Sequence, residues 1–284
     1  MARVLLVGAT ATIAPTLLSH LLSSPFISHI VLLSRKSITS ATTLANDKIT
    51  QLLHPDFSTF PDQLFLDLRD RHRVQAVVWL VGGFITRFKS FDEAQEANVS
   101  LPLRFLEGCL EHGLVSTPAG LKPDGVGEDH GAEEAKTRDK GKGRVQRYVT
   151  PDSSKMPFRF AYLSTYNAVQ DPFASLWTDA KFRRLKGAGE KALLDLAAEK
   201  GQGMCEVYCL RIGRVLEGQT VGNVVRMGMG GYISDELLGK KILSLCLGGR
   251  GDEKYGERTG GGVLENEEVM GDGWADVNSV TING

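Results

Sequence analysis

The sequence predicts an α/β fold, a doubly wound parallel sheet with a small C-terminal lobe on the substrate side. Three observations carry this. Apolar runs short enough for buried strands recur at residues 4–7, 30–33, 76–81 and 158–163. Segments with apolar residues at helical spacing separate them. The first run breaks at Gly8, and a short Ala/Thr turn then leads directly into a helical pattern.

That opening unit sets the chemistry. Ile13, Leu17, Leu18, Leu21 and Leu22 recur at helical spacing, and the second apolar run, Ile30–Leu33, ends at Ser34-Arg35-Lys36. The pattern is strand, tight turn, helix and parallel strand, the opening of a Rossmann-type sheet. A helix that starts just past a buried strand aims free N–H groups and a positive dipole end into one crevice, where a dinucleotide pyrophosphate fits. Three glycines usually shape such a turn, and the matching positions are Gly8, Ala11 and Ala14. Gly8 keeps the tight turn, and the other two positions carry an added methyl group. Gly8, Thr10, Ala11, Thr12 and Ile13 are therefore the expected cofactor cradle; the plainer reading is a β-α-β unit whose pocket is altered. Arg35 and Lys36 suit a ribose 2′-phosphate, which favours NADP(H), with NADPH preferred over NADH. A solvated strand end would explain the same two charges.

Further along, residues 40–54 read as a modest helix and Gln63–Asp67 as the third strand. Asp67 at its exit could bond an adenine amino group or cap the next helix. Ala76–Val81 is apolar throughout, as a strand buried on both faces should be, and ends at Gly82-Gly83, where backbone can pass close to a ligand. Phe91 to Gly113 reads as one long helix with Ala97, Leu101, Phe105 and Leu106 on its apolar face. Asn98 on it either bonds into the sheet or lies exposed. Residues 116–155 lack hydrophobic period and read as a disordered surface insertion. Phe158–Leu163 is the next strand, ending in Ser164-Thr165-Tyr166. Lys181–Lys200 is a helix with Ala188, Ala192, Leu193 and Leu196 inward, and Glu206–Arg211 is the sixth strand. From about residue 216 the C-terminal lobe holds a helix over 234–247, a glycine-rich stretch and Val263-Leu-Glu-Asn266. The 284 residues read as a single domain.

Composition narrows the function classes. A net charge of −1 argues against a nucleic-acid footprint. No apolar run reaches the ~20 residues needed to span a bilayer, and a strand begins almost at once, leaving no room for a presequence. Cys109, Cys205, Cys209 and Cys246 sit in apolar surroundings without a partner His motif, so buried thiols are expected and no metal. The expectation is a cytoplasmic protein.

The chain resembles the atypical short-chain dehydrogenase/reductase superfamily, and within it the HIV-Tat-interacting oxidoreductase-like group. The likeness rests on Val7-Gly-Ala-Thr10, Ser28–Arg35, Leu163-Ser164, Leu185–Glu190, Leu210–Val215 and Val263–Asn266. The resemblance implies NADP(H) binding and hydride transfer on a small carbonyl or alcohol, with a Ser orienting the substrate oxygen, a Tyr moving its proton and a Lys lowering the Tyr pKa. Ser164 matches the Ser and Lys186 the Lys, but the Tyr position is Phe182. Tyr166 or Tyr162 could supply a phenol instead, and alternation places Tyr162 and Ser164 on one strand face. Water or Ser164 could relay the proton, or the chain could be a Rossmann module that binds partners or senses redox state without catalysis. Lys186 also reads as one half of an i,i+4 pair with Glu190. Related folds dimerise through long helices such as 91–113 and 181–200, so a homodimer acting on a small molecule is the expected assembly.

Overall fold

The computed structural model describes residues 1–38, 46–115, 157–217, 231–247 and 261–270. Strands β1 (Ala2–Val7) and β2 (Ile27–Ser34) flank helix α1 (Ala14–Ser23). Strands β3 (Ile49–Leu53), β4 (Ala76–Trp79), β5 (Phe158–Thr165) and β6 (Cys205–Ile212) follow. Short β7 (Arg214–Leu216) and β8 (Tyr232–Ser234) pair with each other, and β9 (Gly262–Leu264) pairs with β6. The main sheet is parallel, in the order β3-β2-β1-β4-β5-β6-β9. The order reverses between β1 and β4, where Val7 stands opposite both Leu33 and Trp79. A crevice opens beyond the strand ends at such a reversal.

Side-chain alternation along the strands builds two cores. Leu5, Val7, Val77 and Trp79 pack against Phe65, Phe105 and Leu193 on one face. Val4, Leu6, Ala76 and Val78 pack against Leu17, Leu21, Leu238 and Ile242 on the other. The first layer comprises helices α2 (Asp62–Asp70), α3 (Phe91–Gln95), α4 (Leu101–Glu111) and α5 (Ala180–Lys200). The second layer is α1 with α6 (Asp235–Leu247), and α7 (Asn266–Met270) lies beside β6. Gly239 lets α6 approach α1, since a Cβ there would fall 2.5 Å from the His20 ring.

Four expectations change. The third strand is Ile49–Leu53, and Gln63–Asp67 lies inside α2. The strand escaped notice because it is an edge, with none of its five residues buried, so no apolar run marks it. In α2, Phe65 and Leu68, three apart, face the core behind the extended Pro61. For the same reason the helix expected over 40–54 is a turn and β3 from residue 46 on; residues 39–45 lie outside the described ones. The long helix is broken by a π-turn, Glu96–Ser100, in which the Leu101 N–H bonds the Glu96 carbonyl. Pro102 has no N–H, so the Asn98 carbonyl, four residues earlier, lacks the donor an α-helix would give it. Finally, Ala188 is exposed; Leu185, Leu193 and Leu196 set the inward face of α5.

The expected insertion at 116–155 and most of the glycine-rich stretch lie outside the described residues. All four cysteines are buried and free. Among the described residues no helix is long and apolar enough to cross a membrane, and no cluster of three metal-ligating side chains occurs.

Candidate active site at the sheet crossover

Gly8 turns the chain out of β1 at φ +88°; a Cβ there would stand 2.9 Å from the Val81 side chain and 3.1 Å from its nitrogen. The turn closes on itself through Ala11 N–H to Gly8 O and Ala14 N–H to Ala11 O, each 2.9 Å. Ala14 is buried, so its methyl group fits where the helix meets the sheet. The N–H groups of Thr12 and Ile13 find no acceptor among the described residues, and the first turn of α1 carries no acidic side chain. Unpaired donors at the positive end of a helix suit an anionic group.

Arg35 and Lys36 lie exposed at the end of β2, in a turn fixed by the Ser34 hydroxyl donating to the Lys36 carbonyl at 2.7 Å. Asp67 is elsewhere. It sits in α2, accepting from Gln63 at 3.0 Å and pairing with Arg71 at 3.3 Å, so the strand-exit ground for an adenine contact is gone. The acidic residue that does follow the third strand is Asp56. The Ser58 hydroxyl and backbone hold its carboxyl below the usual range. Correct placement of β3 would have revealed it.

Gly82 and Gly83 leave β4 at φ +129° and +148°. Asn98 is fully buried and clamps this loop: its Oδ1 accepts from Gly83 N–H at 3.0 Å, and its Nδ2 donates to Gly83 O at 3.1 Å and Ala94 O at 2.8 Å. The exposed reading of Asn98 is thereby overturned. A Cβ on Gly82 would meet Asn98 Oδ1 at 2.6 Å and Lys186 Nζ at 3.5 Å. Asn98, Gly82 and Lys186 converge at one point behind the crevice.

Lys186 is buried, not part of a surface pair. Its Nζ donates to the Leu163 carbonyl at 2.9 Å and to the Tyr162 hydroxyl at 3.3 Å. That hydroxyl in turn donates at 2.7 Å to the Asn98 carbonyl, the one that Pro102 deprives of its α-helical donor. Gly189 keeps the route clear, as a Cβ there would lie 2.7 Å from the same carbonyl. Burial lowers the Lys186 pKa from 10.5 to about 8, against the opposing influence of Glu190 and Cys209.

Ser164 turns the other way, into a buried network. Its hydroxyl donates at 2.5 Å to Glu190, which is fully buried and also accepts from Gln170 at 3.0 Å and from Arg211 at 2.7 Å. A second nitrogen of Arg211 reaches Glu265 at 2.8 Å. Tyr162 and Ser164 do share a strand face, and that face points at α5. Tyr162 is sealed from solvent and its pKa is raised by desolvation, so it cannot touch a substrate. Tyr166 is partly exposed, its ring near Gly231. Thr165, the next hydroxyl along, is half-buried. Phe182 packs against Phe84 with ring centroids 4.7 Å apart, and supplies no proton. The Glu190–Arg211 pair is not among the residues expected from the sequence, although an arginine between Leu210 and Ile212 in a buried strand signals a buried partner.

No family model matches the chain, and no curated protein matches it. Solved structures do match. A short-chain dehydrogenase/reductase-family oxidoreductase from Burkholderia thailandensis aligns with 14% identity over 95% of this chain and 94% of its own, at TM-score 0.54. The PhqB reductase domain from Penicillium fellutanum gives 16% identity over 96% and 69%, at TM-score 0.53. MoeE5, determined with UDP-glucose and NAD, gives 15% over 93% and 75%, at TM-score 0.55. The fold these structures share with the chain is a Rossmann-type α/β fold. At these identities the likeness speaks for the fold alone.

Proposed function

We propose that this chain is an NADP(H)-binding oxidoreductase of the atypical short-chain type, related to the HIV-Tat-interacting oxidoreductase-like group, acting on a small carbonyl or alcohol. The observation that carries the reading is the β1–α1 turn, where Gly8 holds the tight bend and the Thr12 and Ile13 N–H groups stand unpaired at a helix start. These residues fit a dinucleotide. Gly8, Thr10, Ala11, Thr12 and Ile13 would hold the pyrophosphate, Arg35 and Lys36 a 2′-phosphate, and Asp56, in place of Asp67, the adenine side. Gly82 and Gly83 leave room for the nicotinamide half, and Lys186 lies behind them to bond a ribose hydroxyl. The bound cofactor supplies or accepts hydride.

The proton of this chemistry has a source other than the usual Tyr. Ser164 is engaged by Glu190 and Phe182 has none to give, which leaves Thr165 and Tyr166 as the hydroxyls beyond the end of β5, together with water. Those same two facts favour a second reading, a Rossmann module that binds the nucleotide without turnover. We further propose that the whole chain is one domain with a C-terminal lobe from about residue 216 on the substrate side, and that it acts as a cytoplasmic homodimer.

Calorimetric titration with NADPH and NADH tests the binding. NADPH should saturate the protein, and Arg35→Ala should weaken it roughly tenfold, the worth of one charge-assisted hydrogen bond, while leaving NADH unchanged. No saturation at millimolar nucleotide defeats both readings. Saturation without NADPH consumption on a carbonyl panel favours the second.

A further inference from the structure

Beside the crevice lies an open recess of about 330 Å³ lined by Phe84, Ile85, Thr86, Asp179, Ala180, Lys181 and Phe182. Phe84 follows the Gly82-Gly83 bend, and Phe182 lies one helical turn before Lys186, so both walls of the recess continue along the chain to the point where Lys186 approaches Gly82. Its floor is the Phe84–Phe182 pair, tilted 33°. Phe84 nevertheless leaves 55% of its surface exposed. An aromatic side chain held against a second ring and still half open offers a face to a third ring.

Asp179 is the second observation. It precedes α5 in the left-handed region at φ +47°, where a non-glycine residue is strained, and its carboxylate makes no capping bond. An aspartate at this position ordinarily accepts from the first turn of its helix. Strain held at the rim of a cavity is characteristic of binding sites. The two charged rim residues, Asp179 and Lys181, have opposite signs. The recess therefore offers no net positive charge to a diphosphate, unlike a pocket built for a sugar nucleotide.

We infer that the recess seats the ring portion of an uncharged planar ring ketone or aldehyde, stacked on Phe84, and that this is the substrate class of the site. The inference rests on the oxidoreductase reading for its word "substrate", but the binding itself does not need the nucleotide.

The test is calorimetric titration of the full chain with 2-acetonaphthone, run alongside the NADPH titration and repeated with Phe84→Ala. Saturable one-site binding is expected, weakened about fivefold in the variant, the usual worth of one ring contact. Excess UDP-glucose should leave it unaffected. Because Phe84 is more than half exposed, the variant's melting temperature should match that of the parent, which separates lost binding from lost folding. Absence of saturable binding, equal binding by Phe84→Ala, or displacement by UDP-glucose each overturns the inference. Ring binding without NADPH binding would defeat the oxidoreductase reading and leave the recess standing; NADPH binding without ring binding would do the reverse.

Discussion

Replacing Glu190 with alanine should destabilise the fold by about 3–5 kcal/mol, the usual consequence of breaking a buried ion pair from one side. The carboxylate is fully buried and gathers bonds from Ser164 on β5, Gln170 beyond it and Arg211 on β6. Its loss strands three donors at once. Arg211 retains Glu265, whose side chain is 47% exposed, so the guanidinium keeps only a solvent-weakened partner. Guanidinium unfolding of the parent, Glu190→Ala and the double variant Glu190→Met with Arg211→Met measures the effect. The double variant should recover much of the loss, because it removes the abandoned charge as well. A loss under about 1 kcal/mol in Glu190→Ala would place this pair with ordinary surface bridges and refute the account.

Lys186→Met should act in the opposite direction. A folded-state pKa of about 8 against an ordinary 10.5 means that the folded chain resists the charge the unfolded chain accepts. Below pH 8 both states carry the proton, and the folded state bears the whole penalty, about 3 kcal/mol for a shift of this size. Between pH 8 and 10.5 the folded lysine is already neutral while the unfolded one is still losing its proton, so parent stability climbs. The methionine variant has no such climb. It should be about 2–3 kcal/mol more stable at pH 7, allowing for the donor lost to the Leu163 carbonyl, and its advantage should fade towards pH 10.5. Urea unfolding of both proteins at pH 7 and pH 10 reads the difference directly. Equal stability at pH 7, or a gap that persists unchanged at pH 10, would show that Lys186 is not strained by burial. Such a cost is what the proposed ribose contact of Lys186 would require, since stability is commonly forgone at working sites.

How far the sequence reveals this molecule depends on what each signal measures. The β1–α1–β2 unit and β4 are legible because strands buried on both faces must be apolar throughout. Strand β3 is not, since an edge strand needs no apolar run, and the short apolar run Leu64-Phe65-Leu66 imitates a buried strand although the segment buries Phe65 and Leu68 as a helix. Alternation correctly pairs Tyr162 with Ser164. It cannot tell which layer that face meets, and the answer reverses their meaning: one phenol is sealed and one hydroxyl is spent on Glu190. Phe182 was readable outright. The burial of Lys186 was not, because a Lys four residues before a Glu describes a solvated pair equally well. The π-turn leaves only one trace in the sequence, Pro102, whose missing N–H removes the α-helical donor of the Asn98 carbonyl that Tyr162 bonds.

The outermost strand, β9, is three residues long and arrives very late in the chain, yet it shields β6 along Tyr208–Leu210. Asn266, just beyond it, accepts from Gly213 N–H at 2.9 Å and donates to the Tyr232 carbonyl at 3.1 Å, tying β6 to the β7–β8 pair. A protein shortened to residue 260 would therefore present β6 as a bare hydrogen-bonding edge beside apolar Leu210 and Ile212, an invitation to strand-to-strand aggregation. Strand β9 and the turn after it thus cover an edge that would otherwise be open to strand pairing.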